Sequence, residues 1–191
     1  MDKNNPFRLF GAIIAAGILA FSGVLIETAM NVTFPLLIQE FRVTTSGIQW
    51  VTTIYLLMIS VIVPISSYLN QNFSARNLFI PANLFFLLGV LINCFSASFS
   101  MLLLGRLLQG VGTGIGLPLM FHIILTKAPV EKRGMMMGIG TLTTSIAPAI
   151  GPAYGGLISN LLRWRYSKYF SAVYRRCGYS ASRRYLFFFS K

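Results

Sequence analysis

The sequence predicts an all-α integral membrane protein with about five transmembrane helices, and three observations carry that class. Of 191 residues, 55% are apolar and only 10% charged, too little polar surface for a soluble domain of this size. Five apolar runs of roughly 20–25 residues follow one another, each long enough to cross the ~30 Å hydrocarbon core of a bilayer as a helix. The cations in the links between the runs gather on one side.

Residues 1–9, with Lys3 and Arg8, form a cytoplasmic amino terminus. The first span, approximately 10–33, reads FGAIIAAGILAFSGVLIETAMNV. It outlasts a signal-peptide core and lacks a small-residue cleavage site after it, so it stays as a helix, with Glu27 near its far end. The link PLLIQEFRVTTSG leads to the second span, 48–69. Trp50 and Tyr55 lie near its start, where amphipathic rings favour the water interface, and Pro64 is expected to kink it. NQNFSARN precedes the third span, 78–97, interrupted by Asn83 and Asn93. The fourth, 101–126, and the fifth, 134–158, make a hairpin joined by KAPVEKRG. Among link residues, Lys3, Arg8, Arg76, Lys127, Lys132 and Arg133 then fall on one side and Arg42 on the other. The positive-inside rule makes the amino terminus cytoplasmic and sends the first, third and fifth helices outward.

Residues 159–191 break the pattern. This stretch has no apolar run near 18 residues and does not span. Eight of the sixteen Lys and Arg lie after Asn160, so the formal charge of +12 belongs mainly to this tail, and residues 1–160 carry only +4. An outward fifth helix leaves those cations outside, against the rule that set the topology. Two explanations stand: an exposed, weakly ordered tail, or a chain frameshifted or truncated relative to its parent near Trp164. The wealth of Arg, Ser and Tyr without acids favours the second.

Cys94 and Cys177 have neither metal-ligand spacing nor a disulfide framework. With no nucleophilic triad, metal cluster or phosphate loop in the sequence, no enzyme, metal or organic cofactor is expected. His122 reads as a satisfied polar residue, and Met135, Met136 and Met137 as packing.

The residues that carry chemistry are intramembrane. Arg106 is a charge that a bilayer interior tolerates only where it is paired, hydrated or facing protein; its alternative is a structural arginine reaching to the interface. Glu27 is a candidate proton carrier, its alternative a helix-end acid. Counted from the expected helix ends, each lies about five residues, or ~8 Å, below the same outer surface, which makes them a candidate charge pair. Gln109, three residues after Arg106, shares its face and serves substrate or an interhelical hydrogen bond. Gly140, Thr144, Pro148, Gly151 and Gly155 form one narrow stripe on the fifth helix, a surface for close, kinked helix packing.

Four segments resemble the major facilitator superfamily, and within it the fourteen-helix drug:proton antiporters of the lincomycin-resistance type. ETAMNVTFP, from Glu27, is similar to the motif ending helix one, although the family's aspartate position falls on Ile26 and the acid here is Glu27. GRLLQGVGTGIG, from Gly105, resembles the helix-four motif, with Arg106, Gln109, Gly110 and Gly112 matching. APAIGPAYGG, from Ala147, resembles the antiporter motif of helix five. Trp164 and Arg165 look like the start of the loop before helix six. Where the superfamily's glycine, aspartate and arginine signature follows helix two, this chain has Ser67, Gln71, Asn72, Ser74 and Ala75, and agrees only at Leu69, Phe73 and Arg76.

The resemblance implies the first part of a major facilitator bundle in the plasma membrane. It implies export of a small amphipathic drug, lincosamide-like, in exchange for protons, with the proton gradient as energy source and no cofactor. Glu27 and Arg106 would be the charge pair, and Asn31 and Gln109 would line the substrate path. Gly140, Pro148, Gly151, Pro152, Gly155 and Gly156 would form the packing motif. Substrate, protons and membrane lipid are the expected partners, and nucleic acid is not. Two alternatives remain: an inactive truncated fragment, and a membrane-anchored basic arm that binds anionic lipid or nucleic acid.

Overall fold

The computed structural model describes residues 6–161. Five long helices follow one another: α1 Pro6–Phe41, α2 Thr45–Asn72, α3 Ala75–Cys94, α4 Phe99–Lys127 and α5 Arg133–Leu161, the last preceded by one 3₁₀ turn, Val130–Lys132. The described residues contain no strand. The expected basic tail lies, from residue 162 on, outside the described residues.

The links are short, and their chemistry explains where the helices stop. Arg42 takes a left-handed conformation (φ 51°) directly after α1, which ends the helix and turns the chain toward α2. Thr44 caps α2, its hydroxyl accepting the Gly47 N–H at 3.1 Å, and Ser98 caps α4, accepting the Met101 N–H at 3.3 Å. Links this short make consecutive helices antiparallel, but of the consecutive pairs only α3 and α4 pack extensively.

The first helix differs from expectation at both ends. It starts at Pro6, inside the stretch expected to be an irregular terminus, where a proline in the first turn forfeits only an N–H that has no helical partner. It then runs through Pro35 to Phe41, past the break expected after Thr33. One proline removes one hydrogen bond, and the turns beyond it are held by packing. Leu37 is fully buried with Ile48, Val51 and Leu102, and the Phe41 ring meets that of Phe99 at 6.4 Å. A second difference concerns the number of spans. Among the described residues, four helices (Ile13–Phe41 of α1, α2, α3 and α4) are both long and apolar enough to cross a membrane. The fifth has the length, 29 residues, but its glycines, threonines and prolines dilute its hydropathy.

The bundle is built around α4. It packs most extensively against α3 and α2, then α1, and only lightly against α5, whose main partner is α1. Lipid exerts no hydrophobic force between helices, so close approach of small residues has to supply the contact. At Gly112 an added Cβ would come within 2.6 Å of the Ala82 carbonyl oxygen and 2.7 Å of the Phe86 Cβ. The main core joins Leu19, Phe86, Leu119, Met120 and Ile124 from α1, α3 and α4 with Met136 of α5. Val61, Ile65, Leu84 and Leu88 stay exposed on the outside of the bundle, the side a bilayer would solvate.

Candidate functional site

Helical spacing sets the site on α4. Arg106, Gln109 and Thr113 recur at three and four residues, so they stack along one side of the helix, and all three are buried. Thr113 abuts Gly23 of α1, and Gly116 abuts Leu19. The two helices run antiparallel in that register, which brings Glu27 to the level of Gln109, one turn from Arg106. Tyr55 of α2 lies against the same arginine.

Arg106 is 2% exposed and does not reach out to an interface. Its guanidinium carbon lies 5.8 Å from the centre of the Tyr55 ring, a cation–π contact worth up to ~2 kcal/mol at a desolvated site. Its Nε and Nη2 have no hydrogen-bond partner among the described residues. A buried charge left so poorly compensated costs several kcal/mol in order-of-magnitude terms, and such groups concentrate where a protein does its work. Glu27, half-buried on α1, faces this charge at a distance and makes no close hydrogen bond to those two nitrogens.

The depth estimate from the sequence started from the wrong helix ends. With α1 ending at Phe41 and α4 starting at Phe99, Glu27 lies fourteen residues from its helix end and Arg106 seven from its own. The register of α1 against α4 still brings the two charges to within one helical turn of the same level.

Asn31, one turn beyond Glu27, is exposed, and its Oδ1 accepts the Thr52 hydroxyl of α2 at 3.0 Å. Gln109 is turned the other way. Its Cγ packs at Gly89 of α3, and its Oε1 has no hydrogen-bond partner among the described residues. The structure therefore keeps Asn31 and Gln109 apart: one borders the open side of α1 and α2, the other lies in the seam of α3 and α4.

The helix-five residues divide. Gly140 packs on Met120 and Ile124 of α4, and Gly151 packs on Thr28 of α1. At Gly155 an added Cβ would lie 2.5 Å from the Ala29 carbonyl oxygen. Gly156 has Val32 at 4.0 Å. Pro148 and Pro152 are exposed, and α5 continues through both. The buried stripe is thus Met136, Gly140, Ala147, Gly151 and Gly155, and Pro148 does not belong to it. His122 is half-buried, with its carbonyl accepting the Thr126 hydroxyl at 2.7 Å, and no cluster of three metal-ligating side chains occurs among the described residues.

Two site residues escaped the sequence reading, Tyr55 and Thr113. Tyr55 was expected at the membrane interface beside Trp50. Trp50 is 57% exposed, but Tyr55 is 1% exposed and points into the bundle. The available signal was spacing: Ile48, Val51 and Tyr55 follow the three-and-four rhythm of a core face, and all are buried.

Apolar helices of spanning length, packed through glycines around a buried arginine, define a multi-pass helical membrane protein. The chain belongs to the Major Facilitator Superfamily, which matches residues 13–174. It is 42% identical to the uncharacterized MFS-type transporter YhcA of Bacillus subtilis, over 86% of this chain and 31% of that protein. It is also 42% identical to the lincomycin resistance protein LmrB of Listeria monocytogenes, over 86% of this chain and 34% of that one. The multidrug export protein EmrB of Haemophilus influenzae is 29% identical over 79% of the chain and 30% of its own length. The chain spans about a third of the length of these curated relatives.

Proposed function

We propose that this chain is the amino-terminal, five-helix part of a plasma-membrane drug exporter that exchanges protons for a lincosamide-like or other amphipathic substrate. One observation carries the reading: a buried arginine on α4 with two unpartnered guanidinium nitrogens lies one turn from the level of an acid on α1. A carboxylate in that position accepts a proton from the outer side and releases it inward. Its charge, present or absent opposite Arg106, biases how α1 and α4 sit against each other. Asn31 is assigned to the substrate path and Gln109, buried in the seam of α3 and α4, to the contact between those helices, while α5, inserted outward as a fifth span, supplies the tight packing against α1. The amino terminus is cytoplasmic in this scheme. The names of the relatives, which include lincomycin resistance and multidrug export, support the substrate class.

The test joins residues 1–161 to the remaining helices of the Listeria relative and measures lincomycin efflux from vesicles under an imposed pH gradient. Glu27→Gln should abolish gradient-driven exchange while substrate binding remains measurable. Normal exchange by Glu27→Gln across the pH range would show that Glu27 carries no proton.

A second reading concerns the chain by itself. The 191 residues span about a third of their relatives, and we infer that, expressed by themselves, they do not export, because five helices alone offer no opposing half to rock against. Gradient-dependent lincomycin export by cells making this chain and no relative would overturn that.

A further inference from the structure

Arg106 is held from two sides that the charge pair does not explain. One is the Tyr55 ring, with its centre 5.8 Å from the guanidinium carbon. The other is a hydrogen-bonded chain that fixes the ring. The Tyr55 hydroxyl donates to Thr113 Oγ1 at 3.2 Å, and the Thr113 hydroxyl donates to the Gln109 carbonyl at 3.0 Å. Every member is buried. Both bonds run in one direction, with the Thr113 hydroxyl accepting from Tyr55 and donating to the Gln109 carbonyl, so the ring cannot swing away without leaving the buried Tyr55 hydroxyl unpaired. The chain begins on α2 and ends on α4 one turn below Arg106, so α4 anchors, through α2, the cover over its own arginine.

The two unpartnered nitrogens give this arrangement a purpose. Nε and Nη2 are neighbours on one edge of the planar guanidinium, the edge that takes a carboxylate through two parallel N–H···O bonds. An arginine left free to move would turn that edge toward any acceptor it could reach. We propose that Tyr55 is a positioning residue: its ring, pinned by Thr113, holds the guanidinium so that the buried Nε and Nη2 edge stays unpartnered and available to an exchanging carboxylate. Tyr55 does not itself carry the proton. The assignment rests on the reading of Glu27 and Arg106 as the exchanging pair and adds the element that keeps the arginine from closing on its own helix.

The test uses the 191-residue chain reconstituted in lipid vesicles. Phenylglyoxal, a small arginine-directed reagent, is applied, and modification at Arg106 is followed by peptide mass spectrometry, with Arg76 and Arg133 as internal references. Position 55 is varied through Phe and its mono-, di- and trifluorinated analogues, which weaken the face of the ring stepwise at nearly constant size, and then through Leu. If the ring holds the guanidinium, the Arg106 rate climbs with each fluorine, and Tyr55→Leu raises it by up to roughly thirty-fold, the upper span of a desolvated cation–π contact. Thr113→Val, which frees the hydroxyl but keeps the ring, should give a smaller rise. The two reference arginines should not change. A rate that stays flat across the fluorinated series and moves only with Leu would mean that Tyr55 merely fills space, and would overturn the proposal. No transport step enters the measurement, so a flat series leaves the exchange reading standing. Normal exchange by Glu27→Gln would instead remove the reaction this positioning serves, whatever the labelling shows.

Discussion

Helices α4 and α5 have equal length, and both are rich in glycine, yet they do different work. On α4 the glycines point in several directions: Gly110 and Gly114 meet α2, Gly105 and Gly112 meet α3, and Gly116 meets α1. On α5 the buried glycines lie along one side, Gly151 and Gly155 against α1 and Gly140 against α4, while Leu142, Ile146 and Ile150 remain exposed. Glycine dispersed around a helix makes a hub with three close neighbours. Glycine gathered on one side makes a rail with a single main partner. The angular distribution of small residues, more than their number, decides which part of the bundle is fixed and which rests against it.

The largest effect that would sharpen this contrast is expected at Gly112. Its missing Cβ space is filled by the Ala82 backbone and Phe86, neither of which yields cheaply. Gly112→Leu should destabilise the detergent-solubilised chain by about 3 kcal/mol, read as a lower midpoint in thermal unfolding. Gly155→Leu comes next. It collides with the Ala29 backbone and should cost about 1–2 kcal/mol, with a localised consequence. Limited proteolysis should cut within or before α5 while the α1–α4 fragment keeps its melting midpoint. If Gly155→Leu instead melts the whole bundle as far as Gly112→Leu does, the hub and rail are not distinct. The smallest effect is expected at Ile150 on the exposed side of α5, where Ile150→Ala should shift stability by no more than about 0.5 kcal/mol.

Hydropathy made α2, α3 and α4 legible, because each is a long apolar run closed by polar links. It misjudged α1 for a physical reason. Pro35 and the polar residues Gln39 and Glu40 look like the end of a helix, but the buried Leu37 and the contact of Phe41 with Phe99 are tertiary, and no local pattern announces them. The site was legible in part. Arg106 and Glu27 stand out because charge is rare in such segments, and Gln109 follows from spacing. Tyr55 did not, since an aromatic residue near the start of a span suggests the interface unless its three-and-four relation to Ile48 and Val51 is given priority. The helix-five stripe was seen as one line through Pro148, whereas the buried line passes through Ala147, because a seven-residue helical repeat drifts against spacing by fours.

One feature of α1 reaches further than packing. Thr28 meets Gly151 of α5, yet its hydroxyl donates to its own helix, to the Val24 carbonyl at 3.0 Å and the Leu25 carbonyl at 3.1 Å. At that point α1 and α5 are pressed together with the threonine hydroxyl satisfied internally. The contact between the two helices at this point uses no hydrogen bond of Thr28. Glu27 is the residue immediately before it. The closest approach of α5 to α1 therefore falls within the same helical turn as the acid.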